Sequence, residues 1–533
     1  MDKNQRVLLD LLKRVNDFFE KNEITYYLAG GNTLGAIRHK GFIPWDDDID
    51  LYIKKADFEK LTLVKERLKD IGLSYVDNKN FPGYGNVILR LVEEYNTMIT
   101  PARIADGTPK GKFIEIFILD PLPKDEKEKT EWRKKRWIYL ELISFTFRTA
   151  KAKKAEYIDK KLYKAYIKKC EEYGLKRVLE ELEQELFSSS DDCDEYILRW
   201  APEDVCFKKE WFEKPRLMVF EDSMLPVPQQ PEWTSVAEYG YGWMYYPKEL
   251  STNHNLIVNQ TISYKEYINE YSKFINKEEL IEAYWMRKVY FMDVFFARME
   301  TLRKSQELYQ EAINLKCNKL LEYQRRFPSL SDYQKSEIFA GFERQWKSIQ
   351  FGSLFTSTET YLDIGDENLT YILLSMIKNG EYISAFNILE WKEKSVPSEG
   401  KLKQIFGFVF HICNAYTELY GGNSERAVFH YEKSIENSEG IDSYDQKYLN
   451  FVFMIEDASK KEEMELIRKK VHDFACENED KSDIIYLKGK IEEKLNNTEQ
   501  AVLLYKECAE QTNNGMIHMF IKDYLTKIGE NYD

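Results

Sequence analysis

Leu8, Leu11, Leu12, Val15, Phe18 and Phe19 recur at three- and four-residue spacing and predict an amphipathic helix over residues 3–21. The pattern then shortens. Ile24 to Leu28 is a continuous apolar and aromatic run, read as a strand that ends at Gly30-Gly31. Thr33 to His39 predicts a short helix, and Gly41 to Trp45 a turn in which Pro44 holds Ile43 extended. From Asp48 to Ile53 the chain alternates, with Ile49, Leu51 and Ile53 on one side and Asp48, Asp50 and Tyr52 on the other, which predicts a strand with one polar face. Ala56 to Ile71 returns to helical spacing, and Asn86 to Val92 and Phe113 to Leu119 are further strand candidates. Residues 125–183 read as long, lysine-rich helices, and Leu217 to Val227 as an extended pass.

The character changes near residue 263, where proline becomes scarce and helical periodicity takes over. Residues 263–328 read as long helices. Beyond them a small or apolar residue is followed at a fixed interval by alanine and then by a large side chain: Leu373, Ala385, Leu389; Ala415, Ala427, Tyr431; Gly489, Ala501, Tyr505. Small residues let paired helices cross closely, so the spacing resembles degenerate tetratricopeptide repeats, with a plain helical bundle as the alternative. The expected organisation is a catalytic domain over 1–255, a helical linker or subdomain over 256–335 and a repeat-like helical domain over 336–533.

At 533 residues the chain exceeds what one hydrophobic core usually serves. A net charge of -14 argues against a broad nucleic-acid surface, and seven scattered cysteines form no disulfide framework. No apolar run approaches the ~20 residues that span a bilayer. The expected home is cytoplasmic, compatible with peripheral attachment at the inner face of a membrane.

Chemistry concentrates between Leu28 and Ile53, where Gly30-Gly31 precedes Asp46, Asp47, Asp48 and Asp50. Two unit charges 4 Å apart repel by roughly 4 kcal/mol at an effective dielectric near 20, so such a cluster calls for a cation. Hard oxygen ligands suit Mg²⁺ or Mn²⁺, with Asp48 and Asp50 as ligands and Asp46 and Asp47 as support. Glu115, an acid inside the β-rich run Phe113–Phe117, is the candidate third metal ligand. The Gly30 and Gly31 backbone suits close approach of a phosphate, and Asn32 or Thr33 caps the helix whose N-terminus faces it. A basic belt, Arg133 to Arg136 with Lys151, Lys153 and Lys154, is a solvated helix face or a surface for an anionic glycan.

The segment Leu34-Gly35-Ala36-Ile37-Arg38-His39-Lys40-Gly41-Phe42-Ile43-Pro44-Trp45-Asp46-Asp47-Asp48-Ile49-Asp50 closely resembles the signature of the LicD family, the phosphocholine transferase-like and fukutin-related proteins. The resemblance covers roughly residues 20–250 and extends to Glu238-Tyr239-Gly240 and Tyr246-Pro247. It implies an α+β, nucleotidyltransferase-like mixed-sheet domain, here followed by an all-α half. It further implies a phosphotransferase that moves phosphocholine or a related group from CDP-choline or another CDP-alcohol to a glycan or glycolipid acceptor, such as lipopolysaccharide or teichoic acid. On that reading Asp48, Asp50 and Glu115 hold metal, Gly30, Gly31, Asn32 and Thr33 cradle phosphate, and Arg38 pairs with it. The alternatives are a nucleotidyltransferase using CTP or another nucleotide, and an inactive domain serving as a scaffold. The helical half is expected to bind a protein partner or self-associate.

Overall fold

The computed structural model describes residues 1, 3–81, 84–99, 108–144, 159–187, 192–200, 205–247, 257–266, 366–378, 380–392, 400–478 and 481–532. They fall in two compact units, Met1–Trp243 with Pro247–Met292, and Met244–Tyr246 with Asp293–Asp533. The first is a mixed α/β unit and the second is helical. No described helix is long and apolar enough to cross a membrane.

The first unit opens with α1 (Lys3–Lys21), β1 (Tyr26–Leu28), α2 (Gly30–Arg38), β2 (Asp50–Lys54) and α3 (Lys55–Val64). Strands β3 (Leu73–Val76), β4 (Leu89–Glu93), β5 (Thr97–Ile99) and β6 (Phe113–Pro121) follow, then helices α4 (Glu126–Ser144), α5 (Lys160–Tyr173) and α6 (Leu175–Phe187). Strands β7 (Glu195–Leu198) and β8 (Cys206–Lys208), the hairpin β9 (Arg216–Phe220) and β10 (Ser223–Val227), α7 (Pro231–Tyr239) and β11 (Ile257–Asn259) complete it.

The seven-stranded sheet runs β1-β2-β6-β4-β3, with β7 on the far end of β6 and β8 beside β7. Among the described strands only β2 and β6 are parallel, in a register that sets Asp50 opposite Glu115; the antiparallel β4 sets Arg90 opposite the same Glu115. Strand side chains alternate between faces. Ile49, Leu51, Ile53, Ile114, Ile116 and Ile118 therefore pack on one side against Leu8, Leu12, Val15 and Phe19 of α1. Burying each such side chain contributes about 1.5–3 kcal/mol, which fixes α1 on the sheet. Tyr52, Tyr27 and Leu119 point to the other side, into a core with Tyr196, Phe207 and Phe212. Asp50, Glu115 and Arg90 share that second side, so the register alone aligns two acids and a cation in one row across three strands.

The helical unit comprises α8 (Asp366–Lys378), α9 (Tyr382–Lys392), α10 (Lys401–Tyr420), α11 (Ser424–Glu436), α12 (Tyr444–Asp457), α13 (Lys461–Cys476), α14 (Ser482–Lys494), α15 (Thr498–Gln511) and α16 (Gly515–Lys527). Short turns join α10 to α11, α12 to α13, α14 to α15 and α15 to α16, as expected of antiparallel neighbours. Ala385, Ala427 and Ala501 are fully buried. Gly489 lies where a Cβ would come within 2.5 Å of the Tyr505 ring, so α14 and α15 cross too closely for any larger residue. The expected helices of residues 267–328 and the basic residues Lys151, Lys153 and Lys154 lie outside the described residues.

Candidate active site

Helix α2 begins at Gly30 itself, not at Thr33. Ala29 is extended at the N-cap, Gly30 takes a left-handed φ of 49°, and the amides of Asn32 and Thr33 return to the Ala29 carbonyl. The glycines thus form the first turn of the helix, where the dipole favours anions. The acidic loop presses directly on this turn: a Cβ on Gly31 would lie 2.7 Å from Asp46 Oδ2.

Strand β2 starts at Asp50, two residues later than the alternation predicts, because a side chain occupies the preceding backbone. Asn32 Oδ1 accepts from the Asp50 amide at 2.5 Å, and Asn32 Nδ2 donates to the Asp48 carbonyl at 3.3 Å. Buried Asn32 therefore splints the acidic loop to the helix. Thr33 donates its hydroxyl to the Leu28 carbonyl at 2.5 Å, so it locks the strand-to-helix turn. From α1, buried Gln5 donates to the carbonyls of Ile43 and Asp46 at 3.1 and 2.9 Å. Asn32 of α2 and Gln5 of α1 thus set the loop that carries the acids, and Thr33 fixes the turn beside it.

Asp46, Asp47 and Asp48 each offer an oxygen, all within 4.8 Å of one another. Asp46 and Asp47, expected only as support, lie in this cluster with Asp48. Asp50 stands beside it, and among the described residues its buried Oδ1 has no hydrogen-bond partner. Burial, followed by the charges of Asp48, Glu115, Asp46 and Glu238, holds the Asp50 carboxyl well above the usual carboxylate range. An all-oxygen, strongly anionic donor set with an unsatisfied buried carboxylate oxygen fits a hard divalent cation. Glu115 accepts from Arg90 Nε at 2.7 Å, and the Arg90 guanidinium lies 4.0 Å over the Phe113 ring. The candidate third acid is thus already charge-compensated.

Arg38 is 3% exposed and its Nη1 donates to the Trp243 carbonyl at 2.9 Å, so part of its hydrogen-bonding capacity is committed to the fold. His39 meets Trp45 edge to face at 6.0 Å. Asp120 is wholly buried and bidentate with Arg199, at 2.7 and 2.8 Å. The described part of the basic belt is also used internally. Lys134 pairs with Glu131, Lys135 with Glu185, and buried Arg136 donates to the carbonyls of Leu198 and Arg199.

Three residues join the site that the sequence did not assign to it. The Tyr52 hydroxyl accepts from the Gly30 amide at 3.3 Å and bonds Glu238. Burial pushes Glu238 up to about 7, against the lowering effect of that hydrogen bond. A Cβ on Gly30 would lie 3.4 Å from the Tyr239 hydroxyl and 3.6 Å from Asp50 Oδ2. The available signals were the place of Tyr52 on the Asp50 face and the Glu238-Tyr239-Gly240 segment. Of the aromatic loop that follows, Tyr241 and Trp243 are buried, while Tyr246 belongs to the helical unit and stacks on His518 at 5.2 Å.

A mixed sheet with a glycine-initiated helix and an acid-bearing loop beside its one parallel strand pair defines a nucleotidyltransferase-like domain. Residues 23–139 match the LicD/FKTN/FKRP nucleotidyltransferase domain, and the chain carries a LicD-family domain over that segment. The LicD lipopolysaccharide cholinephosphotransferase of Haemophilus influenzae is 33% identical over 133 residues, 23% of this chain and 45% of that protein. Uncharacterised proteins of Rickettsia typhi and Rickettsia prowazekii are 35% identical over 78 residues (15% of this chain, 25% of that protein) and 29% over 155 (25% and 57%). The chain thus spans 25 to 57% of the length of these curated relatives. No solved structure matches.

Proposed function

We propose that the N-terminal unit is a metal-dependent phosphotransferase. It takes a phospho-alcohol, phosphocholine first among them, from a CDP-linked donor to a sugar hydroxyl of a cell-surface glycan, teichoic acid or glycolipid precursor, and releases CMP. The observation that carries this reading is the carboxylate cluster of Asp46, Asp47 and Asp48 packed on the first turn of α2, within a LicD-family domain. The likeness to a lipopolysaccharide cholinephosphotransferase supports the choice of headgroup and acceptor class.

Asp46, Asp47, Asp48 and Asp50 would hold Mg²⁺ or Mn²⁺, with Glu115 as a further acid on the neighbouring strand. The bound ion would supply charge neutralisation at the donor diphosphate. Gly30 and Gly31 let that diphosphate approach the N-terminal end of α2, and Asn32 and Thr33 keep the turn rigid while it does. Arg38 fixes the C-terminal end of the same helix. In the reaction the acceptor oxygen forms a bond to the β-phosphorus, the phosphorus–oxygen bond to CMP breaks, and the hydroxyl proton passes to a site carboxylate.

Assaying CDP-choline with Mg²⁺ and a glycan acceptor tests the proposal. Asp48→Asn should melt as the wild type does and form no product. Normal turnover by the folded variant would remove the acidic cluster from the mechanism. Pyrophosphate release from CTP in place of CMP release from CDP-choline would establish the nucleotidyltransferase alternative.

A further inference from the structure

The helical unit contains a pocket of about 650 Å³, within the range of small-ligand sites. Three helices line it, each with one stripe of side chains. α13 presents Glu465, Arg468, Lys469 and His472 at the three-four spacing that normally carries an apolar seam. Lys488, Ile491 and Glu492 come from α14, and Gln500 and Leu504 from α15, with Asn497 just before it.

The lining is organised around one buried acid. Glu492 is 4% exposed and accepts from Arg468 Nη2 at 2.8 Å and from Asn497 Nδ2 at 2.7 Å. Glu465 lies 3.5 Å from Arg468 Nη1. Both pocket acids are thus spent on holding the Arg468 guanidinium, which leaves Lys469 and Lys488 to set the pocket's charge. A cationic concavity is unexpected in a chain of net charge -14.

We infer that this pocket binds a phosphorylated carbohydrate. Lys469 and Lys488 suit a phosphate as point charges, and Arg468, held between Glu465 and Glu492, keeps both acids off them. The Gln500 amide and the Asn497 side-chain oxygen suit sugar hydroxyls, and Leu504 offers an apolar contact to a sugar face. Acceptor retention on the same chain would raise its effective concentration for transfer. The identity of the carbohydrate as acceptor rests on the function proposed above; its binding does not.

Isothermal titration of the full chain with glucose 6-phosphate, with glucose, inorganic phosphate and a glutamate-rich peptide as separate arms, tests the inference. Lys469→Ala/Lys488→Ala is the variant of choice, because it leaves the Glu492 network intact. Glucose 6-phosphate should bind more tightly than phosphate or glucose, weaken at high salt, and lose roughly tenfold or more in the variant. With Mg²⁺ and a soluble glycan acceptor that carries no phosphate, the variant should release CMP from CDP-choline at the wild-type rate. Equal affinity in variant and wild type, phosphate binding as tight as the sugar phosphate, or preference for the peptide would each overturn the inference. Absence of CMP release from both proteins would count against the proposed transferase alone.

Discussion

Asp50 is the most constrained residue of the site. Its amide is held by Asn32, its strand register by Glu115, and its buried carboxylate faces other acids. A buried charge left uncompensated costs several kcal/mol in principle, so the apo fold carries Asp50 at a disadvantage. Asp50→Asn should therefore leave the metal-free melting temperature unchanged or higher, while transfer falls by at least about a hundredfold. A lower melting temperature with retained transfer would contradict this role. The density of acids between residues 46 and 50 made the site legible in the sequence. Gln5 was not legible as its support, and Asn32 was legible as a helix cap and phosphate contact but not as the splint of the acidic loop, because each acts through a partner distant in the chain. Gln5 left one trace, a polar residue on the apolar stripe of α1.

At the scale of elements, periodicity located the helices and strands, and long-range hydrogen bonds moved their ends. α2 gained its glycine turn because Ala29 is extended enough to cap it, and β2 lost Asp48 to the Asn32 splint. The pairing of β6 with both β2 and β4 was not readable from spacing, yet it creates the Asp50-Glu115-Arg90 row. In the helical unit the small-residue spacing was informative, because it reflects close crossing of α14 and α15. Gly489→Ala would drive a Cβ into the Tyr505 ring, so the helical unit should lose about 1–3 kcal/mol of stability by denaturant titration. An unchanged midpoint would show that the crossing relaxes freely.

Across the whole molecule, buried acids make the metal-free protein lose stability as the pH rises toward neutrality. In the helical unit Asp445 is buried, accepts from the Tyr416 hydroxyl at 3.1 Å, and is pushed by burial from 3.8 up to about 7. Between those values the folded chain keeps a proton that the unfolded chain releases, so stability falls as pH rises through the window and levels off above it. Asp445→Asn should flatten that decline and raise the melting temperature at pH 8. An identical pH profile in the variant would assign the decline to other groups.

Following CDP-choline by ³¹P NMR, with Mg²⁺ and a glycan acceptor, decides whether the N-terminal unit is a phosphotransferase. Conversion to CMP and a phosphodiester on the acceptor is expected, stopped by chelator and by Asp48→Asn. An unchanged donor spectrum with the folded, metal-supplied wild-type protein, across choline, ethanolamine, ribitol and glycerol headgroups, would contradict it.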